Sequence, residues 1–157
     1  MTTTVNDLMP AIAAQTSLVD RFILTQVERK TLVFPATWVA EILRIDRSQI
    51  LNLPFYDSLL VGIANYNGQM ISLIAAAKLL DLAQFVAPER LMVVRLNQAA
   101  GQLENVGIIV DRAIGSSTRS ELPADLLTTT RAGAMVMMHS GLVPTSLWQP
   151  QYWLVNN

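Results

Sequence analysis

The stretch S-L-L-V-G-I-A-N-Y-N-G-Q-M-I-S-L-I-A-A-A, Ser58 to Ala77, runs for twenty residues without a charge. Twenty such residues suffice to cross a bilayer as a helix, so their reading decides between a membrane span and a folded strand pair. A lipid-crossing helix is apolar at its middle, where polar groups are costly. Here the middle is Asn65-Tyr66-Asn67-Gly68-Gln69, the most polar part of the stretch. Asn-Gly is also the strongest short-range hairpin signal, because both residues accept the positive φ of a type I′ turn. The flanks, Leu59 to Ala64 and Met70 to Ile74, are each of strand length. The stretch therefore reads as strand, tight turn, strand, with a buried helix or span as the alternative.

Outward from the hairpin the pattern continues in short pieces. Upstream, Arg21 to Val27 and Thr31 to Pro35 are β-rich runs joined by the charged turn Glu28-Arg29-Lys30. Ala36 to Leu43 sets Trp38, Val39, Ile42 and Leu43 at near-helical spacing, which predicts a short helical turn. Gln49 to Leu53 is a strand candidate ended by Pro54. Downstream, Ala75 to Leu82 carries good helix formers, and Pro88 stops any continuation. Leu91 to Leu96 and Val106 to Val110 read as strands around a polar loop containing Gly101. Pro123 to Thr130 predicts a brief helix, and Ala134 to His139 a strand turned by Ser140-Gly141. Residues 1–19 read as an N-terminal tail, with a short helix near Leu8 to Ala14, and residues 20–157 as the folded domain. Many short strands plus a few small helices predict a mainly β protein of barrel type.

The totals narrow the function. The chain has 157 residues and no cysteine, which removes disulfide frameworks, thiolate metal sites and cysteine nucleophiles. Charged residues are 15% against 52% hydrophobic, so the chain has a well-filled core or keeps apolar surface for partners, a homodimer among them. Eleven basic and twelve acidic side chains are scattered without runs, which argues against nucleic acid. The N-terminus lacks the charged start and apolar run of a secretory signal, so the chain reads as cytoplasmic. From Ala132 onward no side chain is charged, but Gly133, Gly141, Pro144 and Pro150 break any membrane helix.

No catalytic constellation emerges. His139 is the single histidine, set beside Met137 and Met138, and reads as a structural imidazole near a strand end. Asp111 and Glu121 read as surface charge. No glycine pattern forms a phosphate cradle, and no cofactor is implied. Met135, Met137 and Met138 read as core filling ahead of an adaptable contact surface. For Trp148, Tyr152 and Trp153, packing of the chain end and partner binding stay equally open. Low charge, apolar strands and no reaction centre describe a binding module.

The order of motifs adds a resemblance. F-I-L-T at Phe22 to Thr25 is followed by V-A-E-I at Val39 to Ile42 and L-P at Leu53-Pro54; then come V-G-I-A-N-Y-N-G at Val61 to Gly68 and V-G-I-I-V-D-R at Val106 to Arg112. This series resembles the CheW family of chemotaxis coupling proteins over about Arg21 to Thr118. The resemblance implies two intertwined five-stranded SH3-like β-barrels around a shared apolar core, and no enzyme. It also implies an adaptor joining the regulatory domain of a chemotaxis-type histidine kinase to the cytoplasmic tip of a chemoreceptor, without entering the membrane itself. Carried over by position, Val39, Glu41 and Gly62 match residues near the kinase contact. Asn65, Asn67 and Gly68 match the hairpin near the receptor contact, with Val110 and Asp111 in the second-half strand. The family hairpin usually carries arginine where this chain has Asn67, which offers neither a fixed charge nor a five-donor fork. Proline and aspartate are likewise replaced by Ser72 and Ala75. These departures frame two other readings: a member serving a chemotaxis-like system such as pilus control, and a stand-alone β-barrel binding a small ligand or an unrelated protein.

Overall fold

The Asn67-Gly68 turn forms as the sequence predicts. In the computed structural model, which describes residues 18–82 and 85–151, Asn67 has φ 50° and Gly68 φ 80°. Paired positive φ values are the type I′ geometry whose twist matches that of the flanking strands. The Asn65 carboxamide oxygen accepts the Gly68 N–H at 3.1 Å, fixing the turn from its own strand. The short helix expected near Leu8 to Ala14, and the residues Tyr152 and Trp153, lie outside the described residues.

The strands, in chain order, are β1 (Arg21–Val27), β2 (Lys30–Pro35), β3 (Val39–Asp46), β4 (Ile50–Leu51), β5 (Leu60–Tyr66) and β6 (Gln69–Ala75). They continue with β7 (Arg90–Leu96), β8 (Val106–Val110), β9 (Arg112–Thr118), β10 (Arg131–Ala132) and β11 (Met135–Met137). The short helices α1 (Ala76–Leu79) and α2 (Ala124–Thr129) accompany them. One mixed sheet has the order β10-β11-β2-β1-β9 and the other β3-β7-β8-β6-β5-β4.

In the second sheet β3 and β4 stand at opposite edges, yet only the tight turn Arg47–Gln49 separates them in sequence. A sheet whose two edges belong to one continuous stretch has to curl on itself, so this unit is a five-stranded barrel with β3–β4 as one bent strand. The first sheet combines β1 and β2 with β9, β10 and β11, and the barrel is inserted between them. Two intertwined five-stranded units, mainly β with short helices, is thus the architecture of the chain.

Alternation along the strands sorts the core into three layers. Leu43, Ile45, Ile71, Leu73, Leu91, Val93 and Ile109 fill the inserted barrel. Phe22, Val33 and Met137 pack against Leu122 and Leu126 of the α2 region in the other unit. Between them Leu32 and Phe34 of the first sheet meet Ile74, Val94, Leu96, Ile108 and Val110 of the second. β8 is buried at every position because it faces the inserted barrel on one side and this shared core on the other.

Two readings of the sequence need correction. Ala36 to Leu43 is not one helical turn: Ala36–Trp38 forms a 3₁₀ turn and Val39 begins β3. A bulge between Val39 and Glu41 shifts the strand alternation by one residue, so the apolar positions imitate helical spacing. The helix in Ala75 to Leu82 is confined to Ala76–Leu79. Arg112–Thr118, to which the sequence pattern assigns no element, is a full strand that pairs with β1 and has no apolar alternation, all but its last two residues being exposed.

Candidate functional site

The hairpin turn projects from the mouth of the inserted barrel, and a polar ring closes that mouth. On β7, Leu91 and Val93 point into the barrel, and two residues on, Arg95 occupies the same face. Register sets Glu41 of β3 opposite Arg95 and Leu43 opposite Val93, so Glu41 lies on the barrel side too. The Arg95 guanidinium donates from Nη2 to Glu41 Oε2 at 2.5 Å, and from Nη1 to Asn105 Oδ1 at 3.1 Å. Gln69 Oε1, beside the turn, is 3.5 Å from Nη1, at the outer limit of a hydrogen bond. Arg95 is 19% exposed and Glu41 38%. The Arg95 Nε is buried without a partner, a cost the site accepts.

The candidate contact residues fall into four places. Val39 and Glu41 lie on β3, with Val39 packed on the shared core and Glu41 in the polar ring. Asn65, Asn67 and Gly68 form the adjacent hairpin tip, where Asn65, Asn67 and Gly68 are all exposed. Gly62 is buried on β5. A Cβ there would sit 2.4 Å from the Leu51 carbonyl oxygen and 2.8 Å from Ile50 Cγ2, so glycine is what lets β4 lie on β5 and close the barrel. Outside this closure Leu51 is 62% exposed and Phe55 61%.

Val110 and Asp111 stand at the other end of the molecule. β6 and β8 run parallel with Ser72 opposite Val106, so at about 3.3 Å per residue Asp111 lies roughly 25 Å along from Gln69. Val110 is buried in the shared core. Asp111 is more than solvated surface charge: its Oδ2 accepts the Glu28 N–H at 2.6 Å, and its own N–H donates to the Gln26 carbonyl at 2.9 Å. Glu28 has φ 54°, a conformation costly for a non-glycine residue. The carboxylate thus holds the β1–β2 turn against the crossing from β8 to β9. A pocket of about 340 Å³ opens beside it, lined by Phe85, Val86, Met92 and Val110 between Glu28, Arg90 and Asp111.

The remaining singled-out residues have local duties. His139 Nδ1 accepts the Gly141 N–H at 3.1 Å, capping the turn after β11. Glu121 accepts from both the Thr118 N–H and the Thr118 hydroxyl at 2.8 Å. Chiefly the backbone bond from Thr118, then its hydroxyl, lowers the Glu121 carboxyl below its usual range. Met137 and Met138 are buried, as core filling requires. Leu147 is fully buried and anchors the C-terminal segment, which leaves Trp148 37% exposed beside the exposed Met70 of β6. Among the described residues no three His, Cys, Asp or Glu side chains gather as metal ligands, and no helix is long and apolar enough to cross a membrane.

Sequence reasoning passes over Arg95, Asn105 and Gln69. The one available signal is the alternation Leu91-Val93-Arg95, which puts a single cation on a core-facing register. Its partners emerge only once β3, β7 and β8 are in register.

This two-unit β architecture, with its inserted barrel and Asn-Gly hairpin, defines a class. The model of the CheW-like domain matches residues 21–135. The chain belongs to the CheW-like domain family, which sets it among chemotaxis-type scaffolds that act by binding. Among solved structures it is similar to the scaffolding protein TtCheW from Thermoanaerobacter tengcongensis, with a TM-score of 0.56 and 16% sequence identity, over 76% of this chain and 90% of that one. At that identity the likeness concerns the fold. No curated protein matches the sequence.

Proposed function

We propose that the chain is a non-catalytic adaptor that couples the regulatory domain of a chemotaxis-type histidine kinase to a receptor or related signalling partner. The observation that carries this reading is the family match across residues 21–135. On this reading the kinase side is the inserted barrel around β3 and β4. Gly62 would serve there as the floor that lets β4 seat, and the exposed Leu51 and Phe55 as the apolar centre of contact. The hairpin tip at Asn65, Asn67 and Gly68 would face the receptor tip, and the Val110–Asp111 end a second point of contact. With Asn67 in place of arginine, the partner at the tip is either a chemoreceptor or the equivalent component of a pilus-control system. The alternative of a barrel holding a small ligand is opposed by an interior filled with Leu43, Ile71, Leu73 and Val93. Co-elution of the purified chain with the kinase regulatory domain from the same cell tests the proposal. Failure of any such domain to bind at tens of micromolar removes the coupling role.

A further inference from the structure

We propose that Asn67 is a modification site, a point of backbone-assisted deamidation that the folded hairpin holds shut. The sequence supplies the reactants. Asn67-Gly68 is the single Asn-Gly pair in the chain, and glycine leaves its backbone nitrogen unhindered because it has no Cβ. Both residues are exposed, and a Cβ on Gly68 would meet nothing within 4 Å, so water reaches the pair. Water is also the only co-reactant the step needs. The Gly68 nitrogen bonds to Asn67 Cγ, the Cγ–Nδ2 bond breaks, and the side-chain nitrogen leaves as ammonia with the Gly68 proton. Water then opens the five-membered imide at either carbonyl, giving aspartate or isoaspartate.

The hairpin opposes the first of these bonds in two ways. In the planar imide the Gly68 nitrogen eclipses Asn67 Cβ across the Cα–C bond. A type I′ turn holds its first central residue at a ψ of about +30°, which turns that nitrogen to the far side of the bond from Cβ. The Gly68 N–H is also committed, donating to Asn65 Oδ1 at 3.1 Å, so the peptide plane swings only when this bond opens. Asn65 is therefore the latch. Asn105 is the internal contrast: it shares a left-handed φ, 62°, but the next nitrogen belongs to the buried, β-branched Val106. Isoaspartate routes the backbone through Cβ and lengthens the turn by one atom. Pairing sets Tyr66 opposite Gln69 directly beside it, so a modified tip loses its register. Either product also places a negative charge in a stretch that has no charge from Ser58 to Ala77. None of this rests on the adaptor reading.

The test incubates the full chain at neutral pH in four forms: folded wild type, Asn65→Ala, Asn65→Asp, and wild type in guanidinium. Peptide mapping by mass spectrometry follows each asparagine. In denaturant, conversion at Asn67 is expected to outrun Asn65, Asn97 and Asn105, with isoaspartate among the products. No conversion at Asn67, or an equal rate at another of these, overturns the site. Folded wild type is expected to convert on the order of tenfold more slowly than the denatured chain, and a rate within about twofold of it overturns the shielding. Asn65→Ala removes the latch and is expected to speed conversion in the folded chain about fivefold. Asn65→Asp keeps an acceptor and is expected to stay at or below the wild-type rate. Asn65→Ala within about twofold of wild type, or Asn65→Asp several-fold above it, overturns the role of Asn65. Should circular dichroism show that Asn65→Ala does not fold, the Asn65→Asp rate alone decides.

Discussion

The two units of this chain solve the same packing problem from opposite starting points. The inserted barrel is made from one continuous run, β3 to β8, with neighbours mostly close in sequence. The other unit has to bring β9, β10 and β11 back across that whole insertion to meet β1 and β2. Contacts of the first kind are cheap to close, and those of the second wait on the insertion. The difference teaches that the inserted barrel is the platform, and that the shared core of Ile74, Val94, Ile108 and Val110 makes the outer unit dependent on it.

The largest effect should come from breaking the platform at its closure. Any side chain at Gly62 meets the Leu51 backbone, so Gly62→Asp is expected to abolish cooperative folding in a thermal melt followed by circular dichroism. A folded Gly62→Asp protein with a normal melting point would contradict the closure geometry. Next in size are two truncations of fully buried leucines, Leu73→Ala in the inserted barrel and Leu126→Ala on α2. Each should cost about 2–5 kcal/mol by denaturant titration. Hydrogen exchange separates them: Leu73→Ala is expected to raise exchange in both units, and Leu126→Ala mainly in the outer one. Equal and confined effects would show that the units are independent.

Smaller still is the joint between the units. Asp111→Ala removes the acceptor that holds the strained Glu28 turn, and a loss of about 1 kcal/mol is expected. The smallest effect belongs to Glu121. Its carboxyl is lowered in the folded chain, so its contribution is present above the ordinary carboxylate range and is lost as pH falls through the lowered folded value. Glu121→Gln should lower stability slightly at neutral pH, where that contribution is present, and converge on wild type in acid, which flattens the acid limb of stability against pH.

The legibility of the fold follows the same division. The hairpin, β1 with β2, and β7 with β8 were readable because apolar runs alternate with turn residues, and Asn67-Gly68 carries its own conformational demand. β9 was not, because Arg112 to Thr118 joins the sheet through its backbone and exposes Ile114. β3 misled because a bulge offset its period. At the candidate site, motif order marked Glu41, Gly62 and the hairpin tip, but not what each does. The packing duty of Gly62 depends on β4 lying across it, and the partners of Arg95 depend on the register of β3, β7 and β8, which no local pattern displays. Asp111 looked like surface charge because its partner, the Glu28 amide, is a backbone group in a turn far away in sequence.

The central claim is that the inserted barrel is the platform on which a signalling scaffold receives its kinase. The most direct measurement is an NMR titration of the isotopically labelled full chain with the regulatory domain of a chemotaxis-type histidine kinase from the same cell. The account expects saturable shifts in a contiguous patch around Leu51, Phe55 and β3, with the amides of α2 unmoved. No shifts at tens of micromolar, or shifts centred on α2 and β10, would contradict it.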